Sequence, residues 1–287
     1  MRLPENVWSG TICSNRQSAG KVFCLLWRTD GVAGAALKEN IYGHKKKLWY
    51  ILRAVAEYAK SAGKKLDQVT VLDFGCGNGM AVSYPVAALG VRLVGVDLHR
   101  PSIEYAAANN IYPSADFICG SEDVVEELGR TFDLIICADI LEHLDDPVFT
   151  LARLSGVHRA GGVITGSLPN GYGPFEIEKF IGRWSGLEGF LGLVSRMKAI
   201  EKAHVRAPYN HESGHRHFFT LRSFKKLMLQ AGYVLDDVSN GAFIGAPYSE
   251  LLFKPERFIR WNAGMADKLP SWLVSSWYFT ARKVQSG

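Results

Sequence analysis

Long apolar runs and usefully spaced cysteines are both scarce in this chain, and each scarcity excludes something. The run "VFCLLW", Val22 to Trp27, is too short for a membrane span or for a signal-peptide core followed by a cleavage site. No export address is legible, so the cytoplasm is the expected compartment. The five cysteines, Cys13, Cys24, Cys76, Cys119 and Cys137, are odd in number and lack CxxC spacing. That argues against a disulfide framework or a zinc site and for reduced, buried thiols. Charge of one sign is not concentrated either: the net charge is +5, and the one dense tract is "HKKK" at His44 to Lys47. It reads as a solvated helix start rather than a nucleic-acid patch. Repeats and low-complexity segments are absent. With 47% apolar and 21% charged residues and a mean hydropathy near zero, the composition is that of an ordinary globular protein. A length of 287 residues permits one large domain or two small ones.

What is present is a rhythm. Leu48, Ile51, Leu52, Val55, Tyr58 and Ala59 follow the spacing of an amphipathic helix, and Gly63 is placed to end it. Apolar strand-like runs then alternate with helical stretches. The strands fall at Val69–Phe74, Val91–Val96, Asp116–Cys119, Phe132–Ala138 and Gly162–Ser167, the helices near Ser83–Leu89, Pro101–Asn109, Asp123–Leu128 and Pro147–His158. Strands apolar almost throughout imply a parallel sheet covered on both faces, with ligands at the carboxyl ends of the strands. After Ser167 the rhythm breaks. Residues 168–217 hold glycines, aromatics and four histidines, with helices expected near Phe175–Trp184 and Leu191–Ala203. It resumes with a Thr220-capped helix to Gln230, a strand after Gly232, a helical insert over about 250–273 and a closing strand at Ser276–Lys283.

The stretch "VLDFGCGNGM" puts Gly75, Gly77 and Gly79 directly behind the first strand. Glycine permits positive φ and lets a ligand touch backbone, and the next helix start offers amide donors to an anionic group. Pro85 requires that helix to be short or to begin near Ser83. Asp97 ends the second strand, where a carboxylate can accept bonds from both hydroxyls of a ribose. The glycine register speaks against a dinucleotide: GxGxxG begun at Gly75 or Gly77 needs glycine at position 80 or 82, and the chain has Met80 and Val82. Asp73, just before the loop, would repel a pyrophosphate but could orient an ammonium group.

"VLDFGCGNG", "LVGVDLH", "FDLIICADILEHLDDP" and "AGGVITGSLPN" resemble, in order and spacing, the class I S-adenosylmethionine-dependent methyltransferases. "HRHFFTLRSFKKLMLQAGY" is similar to a later segment of their quinone-biosynthesis O-methyltransferase branch. The resemblance covers roughly Leu66 to Gly245 plus the last strand. It implies an α/β fold, a three-layer Rossmann-like seven-stranded sheet with its last strand antiparallel, and helical inserts forming a substrate lid. The implied parts are an N-terminal extension or cap over 1–47, a cofactor-binding core over 48–170, a lid insert over 171–217 and the C-terminal part of the sheet over 218–287. S-adenosylmethionine is the implied cofactor. Asp73 and the loop Gly75, Cys76, Gly77, Asn78 and Gly79 would hold its methionine moiety, Asp97 its ribose, and Leu98 would lie against adenine. The family often has Asp directly after the glycine ending strand three. Here Gly120-Ser121-Glu122-Asp123 stands instead, which leaves Ser121, taken first, Glu122 or a backbone carbonyl to meet the adenine amine. Cys76 reads as a small filler.

On the acceptor side, Asp139, Glu142 and His143 follow strand four. A helical turn there would set Asp139 and His143 on one side, beside the sulfonium and acceptor. The alternative is a capping turn, with both carboxylates satisfying amides. A hydroxyl acceptor needs a base, and histidine titrates in the right range. His143 is the first candidate and His215 the second, with His211 and His217 beside it. No metal is expected, because His215 and His217 lie two apart and no carboxylate or cysteine pattern completes a set. Phe175, Phe180, Trp184, Phe190 and Tyr209 either line an apolar acceptor site or pack the insert, and packing is expected for most. The second insert, with Phe253, Phe258, Ile259 and Trp261 among Lys254, Arg257 and Arg260, reads as a peripheral membrane-surface helix or a dimer contact.

The expected function is methyl transfer to a small-molecule acceptor, a hydroxyl before an amine. A nucleic-acid partner is not expected, since "ADIL" stands where base methylases carry [DNS]PP[YFW]. The alternatives are a non-catalytic adenosyl-binding protein of the same fold and a nicotinamide-dependent oxidoreductase.

Overall fold

The computed structural model describes residues 40–184, 207–208, 214–245 and 255–284. Cys13, Cys24, the Val22–Trp27 run, the helix read over Leu191–Ala203, Phe190, Tyr209, His211, Phe253 and Lys254 lie outside them.

Helix α1 (His44–Ser61) buries the expected stripe of Leu48, Ile51, Leu52, Val55, Tyr58 and Ala59. It ends at Gly63, φ +63°, where Lys64 N–H bonds the Ala59 carbonyl at 2.9 Å and Gly63 N–H that of Lys60 at 3.3 Å. These two bonds satisfy carbonyls that a helix end leaves open. The helix starts a turn before its apolar stripe, because Asn40 Oδ1 accepts the amides of Tyr42 and His44, both at 3.1 Å. The reading of "HKKK" as a solvated start is overturned here. Lys46 Nζ donates to the carbonyls of Gly241 and Ala263, both at 3.0 Å, and to Asp267 Oδ1 at 2.7 Å, and only 8% of its side chain is exposed. Lysine buries a long stem while its ammonium finds acceptors, and tertiary packing supplies three.

The strands are β1 (Thr70–Phe74), β2 (Arg92–Asp97), β3 (Ala115–Cys119), β4 (Phe132–Ala138), β5 (His158–Pro169), β6 (Tyr233–Asn240) and β7 (Ser276–Lys283), in the sheet order β3-β2-β1-β4-β5-β7-β6. Neighbours from β3 to β5 pair in parallel, and β7 runs antiparallel between β5 and β6. This is the expected seven-stranded α/β architecture with its last strand antiparallel. Side chains alternate between two cores. Leu72, Val94, Ile135 and Cys137 face one, while Val71, Leu93, Leu134 and Ile136 face the other. Burial on both faces is why these strands read as unbroken apolar runs. α1 and α2 (Ser83–Ala87) cover the second core; α4 (Glu122–Glu127), α5 (Pro147–Val157) and α7 (Leu221–Gln230) cover the first. α3 (Arg100–Ala108), α6 (Pro174–Trp184) and α8 (Glu256–Ala266) complete the described helices. Pro85 falls in the first turn of α2, where it removes no helical bond.

One charged side chain is fully buried at the amino end of the sheet. Asp133 on β4 accepts from Lys64 Nζ at 2.6 Å, Tyr58 OH at 2.9 Å and Thr70 N–H at 3.0 Å, with Arg159 Nε at 3.4 Å. Burial raises its pKa, but Lys64 and the Thr70 and Tyr58 donors outweigh that and hold the carboxyl below its usual range.

The functional end lies opposite. Sheet order turns outward in both directions from β1, with β2 on one side and β4 on the other, and the crevice at such a switch point is where open α/β sheets bind ligands.

Candidate functional site

The loop after β1 hangs on the end of β2: Gly75 and Cys76 N–H both donate to the Val96 carbonyl, at 2.8 and 3.1 Å. Gly75, Gly77 and Gly79 have φ of +79°, +55° and +75°, a region that favours glycine. For two of the three the protein's own packing, rather than a ligand, accounts for the missing side chain, which corrects the sequence reading at those positions. A Cβ on Gly75 would meet Ile140 Cγ1 at 2.6 Å, and one on Gly79 would meet Phe117 Cε1 at 3.0 Å. Nothing lies within 4 Å of a Cβ on Gly77. Gly77 is thus the glycine open to a ligand, while the other two make room for the protein. Cys76 Sγ packs where a Cβ on Gly95 would be, at 3.0 Å, and burial raises its thiol pKa.

Asp97 at the end of β2 binds this loop from the side. Its Oδ2 accepts Gly77 N–H and its Oδ1 accepts His99 N–H, both at 2.8 Å. A carboxylate has about four acceptor positions, so capacity for hydroxyls remains. Leu98 beside it is 73% exposed. Asn78 Nδ2 and Ser102 Oγ donate to the Pro208 carbonyl at 3.2 and 3.1 Å, so chain from the insert reaches this loop. Ser121 is engaged as the cap of α4, its hydroxyl accepting Asp123 N–H at 3.4 Å.

Asp73 is buried and accepts from Ser83 Oγ at 2.5 Å. Burial pushes its carboxyl up to about 7; Asp97 adds to the rise, and the Ser83 bond and Lys47 oppose it.

At the end of β4 the chain makes a turn rather than a helix, with His143 N–H bonded to the Ile140 carbonyl at 3.0 Å. The expected shared side of Asp139 and His143 gives way to two separate sets of partners. Asp139, at φ +52°, accepts Lys47 Nζ and Ser167 Oγ, both at 2.6 Å. Burial raises its pKa, but Lys47 and Ser167 outweigh this and leave the carboxyl below its usual range. His44 is held down to about 4 by burial and by Lys47.

Glu142 and His143 meet residues from the insert. Glu142 is 1% exposed, and its Oε2 has no hydrogen-bond partner. Asp139 is held by two side chains rather than by amides, while the Glu142 carboxylate takes a bond from its own backbone N–H. Burial, reinforced by Asp139, raises the Glu142 pKa well above the carboxylate range. His143 Nδ1 donates to the Gly214 carbonyl at 3.1 Å, and its ring lies 5.1 Å from that of His215. Burial lowers the His143 pKa, with His215 adding to the effect. His215 Nδ1 donates to Glu176 Oε1 at 2.8 Å. His217 turns away, its Nε2 on the Leu144 carbonyl at 3.0 Å. Phe175 packs 6.0 Å from the His215 ring, whereas Phe180 and Trp184 are 73% and 85% exposed; packing, expected for most of these aromatics, does not hold for those two.

Sequence reasoning missed Lys47, Ser167 and Glu176. One signal pointed to Lys47: it lies four residues before Ile51, in line with the buried stripe of α1.

The comparisons converge. A family model described as "Methyltransferase domain" matches residues 44–238. The chain is 34% identical to a ubiquinone biosynthesis O-methyltransferase of Rhizobium johnstonii, over 37% of this chain and 42% of that one. Against the enzyme of the same name from Chromobacterium violaceum it is 32% identical, over 38% and 45%. The matched stretch thus spans less than half of these relatives. A crystal structure of an S-adenosylmethionine-dependent methyltransferase from Clostridium acetobutylicum superposes with a TM-score of 0.51 at 12% identity, covering 84% of this chain and 92% of that one. The plantazolicin methyltransferase BamL, crystallised with a triazolic desmethylPZN analogue and SAH, gives 0.50 at 16%, covering 92% and 90%.

Proposed function

This chain belongs to the methyltransferase-domain family, and from that premise we propose that it transfers a methyl group from S-adenosylmethionine to a small-molecule hydroxyl. The observation that carries the reading is the pairing of Gly77, open to a ligand, with Asp97 bound to its amide at the switch point of the sheet. The residues fit that cofactor: an exposed Leu98 offers an apolar face for adenine, Asp97 retains acceptor capacity for ribose hydroxyls, and buried Asp73 offers a carboxylate to an ammonium. The loop from Gly75 to Gly79, with Cys76 and Asn78, would hold the methionine moiety, and Ser121 the adenine amine. The choice of oxygen follows the O-methyltransferase relatives.

When bound, S-adenosylmethionine supplies a methyl carbon already activated by a sulfonium. The protein's task is then to hold the acceptor in line, about 3 Å away, and to take the hydroxyl proton. Asp139, fixed by Lys47 and Ser167, lies near the proposed sulfonium end. His143, kept neutral by burial, is suited to receive the proton as the oxygen–carbon bond forms and the sulfur–carbon bond breaks. His215 flanks it. Among the described residues of the insert, Pro208 against the glycine loop and His215 beside His143 would cover the acceptor side, which is the lid role in this reading. In this reading the enzyme is cytoplasmic and acts on a small molecule rather than on nucleic acid, with membrane-surface contact left to the acceptor's chemistry. No helix among the described residues is long and apolar enough to cross a membrane.

Incubation with methyl-labelled S-adenosylmethionine and host extract, fractionated by mass and polarity, tests this. Label in a low-mass or lipid fraction is expected. Label confined to macromolecules, or none despite tight cofactor binding, overturns it.

The state of Asp73 adds a second test. Its carboxyl titrates near 7 in the free protein, and an adjacent ammonium favours the charged form. Binding S-adenosylhomocysteine at pH 6 should therefore release nearly one proton, falling to none by about pH 8.5, and affinity should weaken as pH drops below about 7. Calorimetry in buffers of different ionisation enthalpy reads the proton count. Zero release at pH 6, or the same release from Asp73→Asn, would remove Asp73 from the ligand's ammonium.

A further inference from the structure

A ring of hydrogen bonds closes around the Asp97 end of the crevice. Asp97 takes Gly77 N–H on one carboxylate oxygen and His99 N–H on the other, both at 2.8 Å. The His99 ring meets Ser102 Oγ through Nδ1 at 2.7 Å. Ser102 Oγ donates to the Pro208 carbonyl at 3.1 Å, and Asn78 Nδ2 donates to the same carbonyl at 3.2 Å. Asn78 follows Gly77 in the chain, so the ring is complete. Its directions follow from counting donors. A serine hydroxyl carries one hydrogen and a carbonyl only accepts, so that hydrogen goes to Pro208 and His99 Nδ1 is the donor to Ser102. Asn78 is oriented likewise: its Oδ1 accepts Met80 N–H at 3.2 Å, which leaves Nδ2 for Pro208.

Ser102 is 1% exposed, so its hydroxyl depends on a protein acceptor, and leaving that bond unmade is costly. The Pro208 carbonyl accepts one donor from the loop behind β1 and one from α3. These are the same two elements that Asp97 joins through Gly77 and His99. Further along the insert, the Gly214 carbonyl accepts His143 Nδ1 at 3.1 Å, and the ring of His215 lies 5.1 Å from that of His143. The insert is thus fastened beside Asp97 at one point and beside the turn after β4 at another. We propose that Ser102 is a positioning residue for the transfer. Acting through Pro208, it seats the insert against the glycine loop, fixes His215 relative to the ribose end and slows the cofactor's departure. This role rests on the methyltransferase reading, which puts the ribose at Asp97. A ligand held there lies beside a carbonyl fastened from both flanks, and leaving on that side requires both bonds to open.

The test reads two quantities on the full chain: the dissociation rate of S-adenosylhomocysteine by stopped flow, and hydrogen exchange at Ala207 and His215 without ligand, from the peptides that carry them. Ser102→Ala should speed dissociation by about 3- to 10-fold, the range for one neutral hydrogen bond, with little change in association. Exchange at both positions should quicken. Ser102→Cys keeps the volume but donates weakly, and should fall between wild type and Ser102→Ala in both readouts, an order that general loss of stability would not produce. Thermal melting checks folding. Asn78→Ala, at the other donor, should quicken the same exchange, which keeps the seat testable where Ser102→Ala fails to fold. Unchanged dissociation in folded Ser102→Ala, or unchanged exchange in both alanine variants, overturns the role of Ser102. A wild type that binds no S-adenosylhomocysteine would instead sink the methyltransferase reading and the positioning role with it, and the exchange result would then decide the seat alone.

Discussion

Asp97→Ala should weaken S-adenosylhomocysteine binding by about 30- to 150-fold, or about 2–3 kcal/mol, the range for hydrogen bonds to a charged partner. Two losses combine. The ribose hydroxyls of the proposed ligand lose their acceptor. The amides of Gly77 and His99, each held at 2.8 Å by one carboxylate oxygen, lose the group that sets the glycine loop against the end of β2. Asp97→Asn separates the two, because one amide oxygen can still accept a loop N–H but cannot serve both loop and ribose; an intermediate loss is expected. Calorimetry at fixed pH gives the affinities, with thermal melting to confirm folding. Unchanged affinity in Asp97→Ala would end the ribose assignment.

Asp133→Ala should destabilise the protein by about 3–5 kcal/mol, the cost of removing one member of a buried charged pair, and lower Tm by roughly 10 °C. The carboxylate is fully buried and joins Lys64 and Tyr58 on one side of the sheet to the start of β1 through Thr70. Its removal strands those donors at once. Because the folded carboxyl titrates below its ordinary value, its contribution is present above about pH 4 and is lost as pH falls through the folded pKa. Wild type and variant should therefore converge in strong acid. Asp133 lies at the amino end of β4, away from the ligand crevice, so cofactor affinity in the cold should not change. A variant melting within a degree or two of wild type would show that Lys64 and Tyr58 find water at no cost.

The sheet was largely legible in the chain. Phe132–Ala138 and Ser276–Lys283 have the same limits in the structure as in the pattern of residues, because burial on both faces demands continuous apolar runs that turn residues then interrupt. β5 runs longer than Gly162–Ser167, reaching His158 and Pro169, since it pairs with β4 and with β7 over different residues. The glycine loop was legible as a loop, but its glycines were not legible one by one. Positive φ at all three follows from local geometry, whereas the neighbours that crowd Gly75 and Gly79 come from Ile140 and Phe117.

By itself, then, the sequence determined the alternation of buried strands and helices, the loop behind β1 and the acidic residue ending β2, because periodicity and turn chemistry are local. Tertiary structure alone decided that Lys47 clamps Asp139 across 92 positions, that Glu142 is buried with an oxygen unsatisfied, and that His143 and His215 lie with rings 5.1 Å apart. The physical reason is that burial and hydrogen-bond partners depend on which strand ends the sheet order brings together. A residue's own neighbours in the chain carry no record of that order.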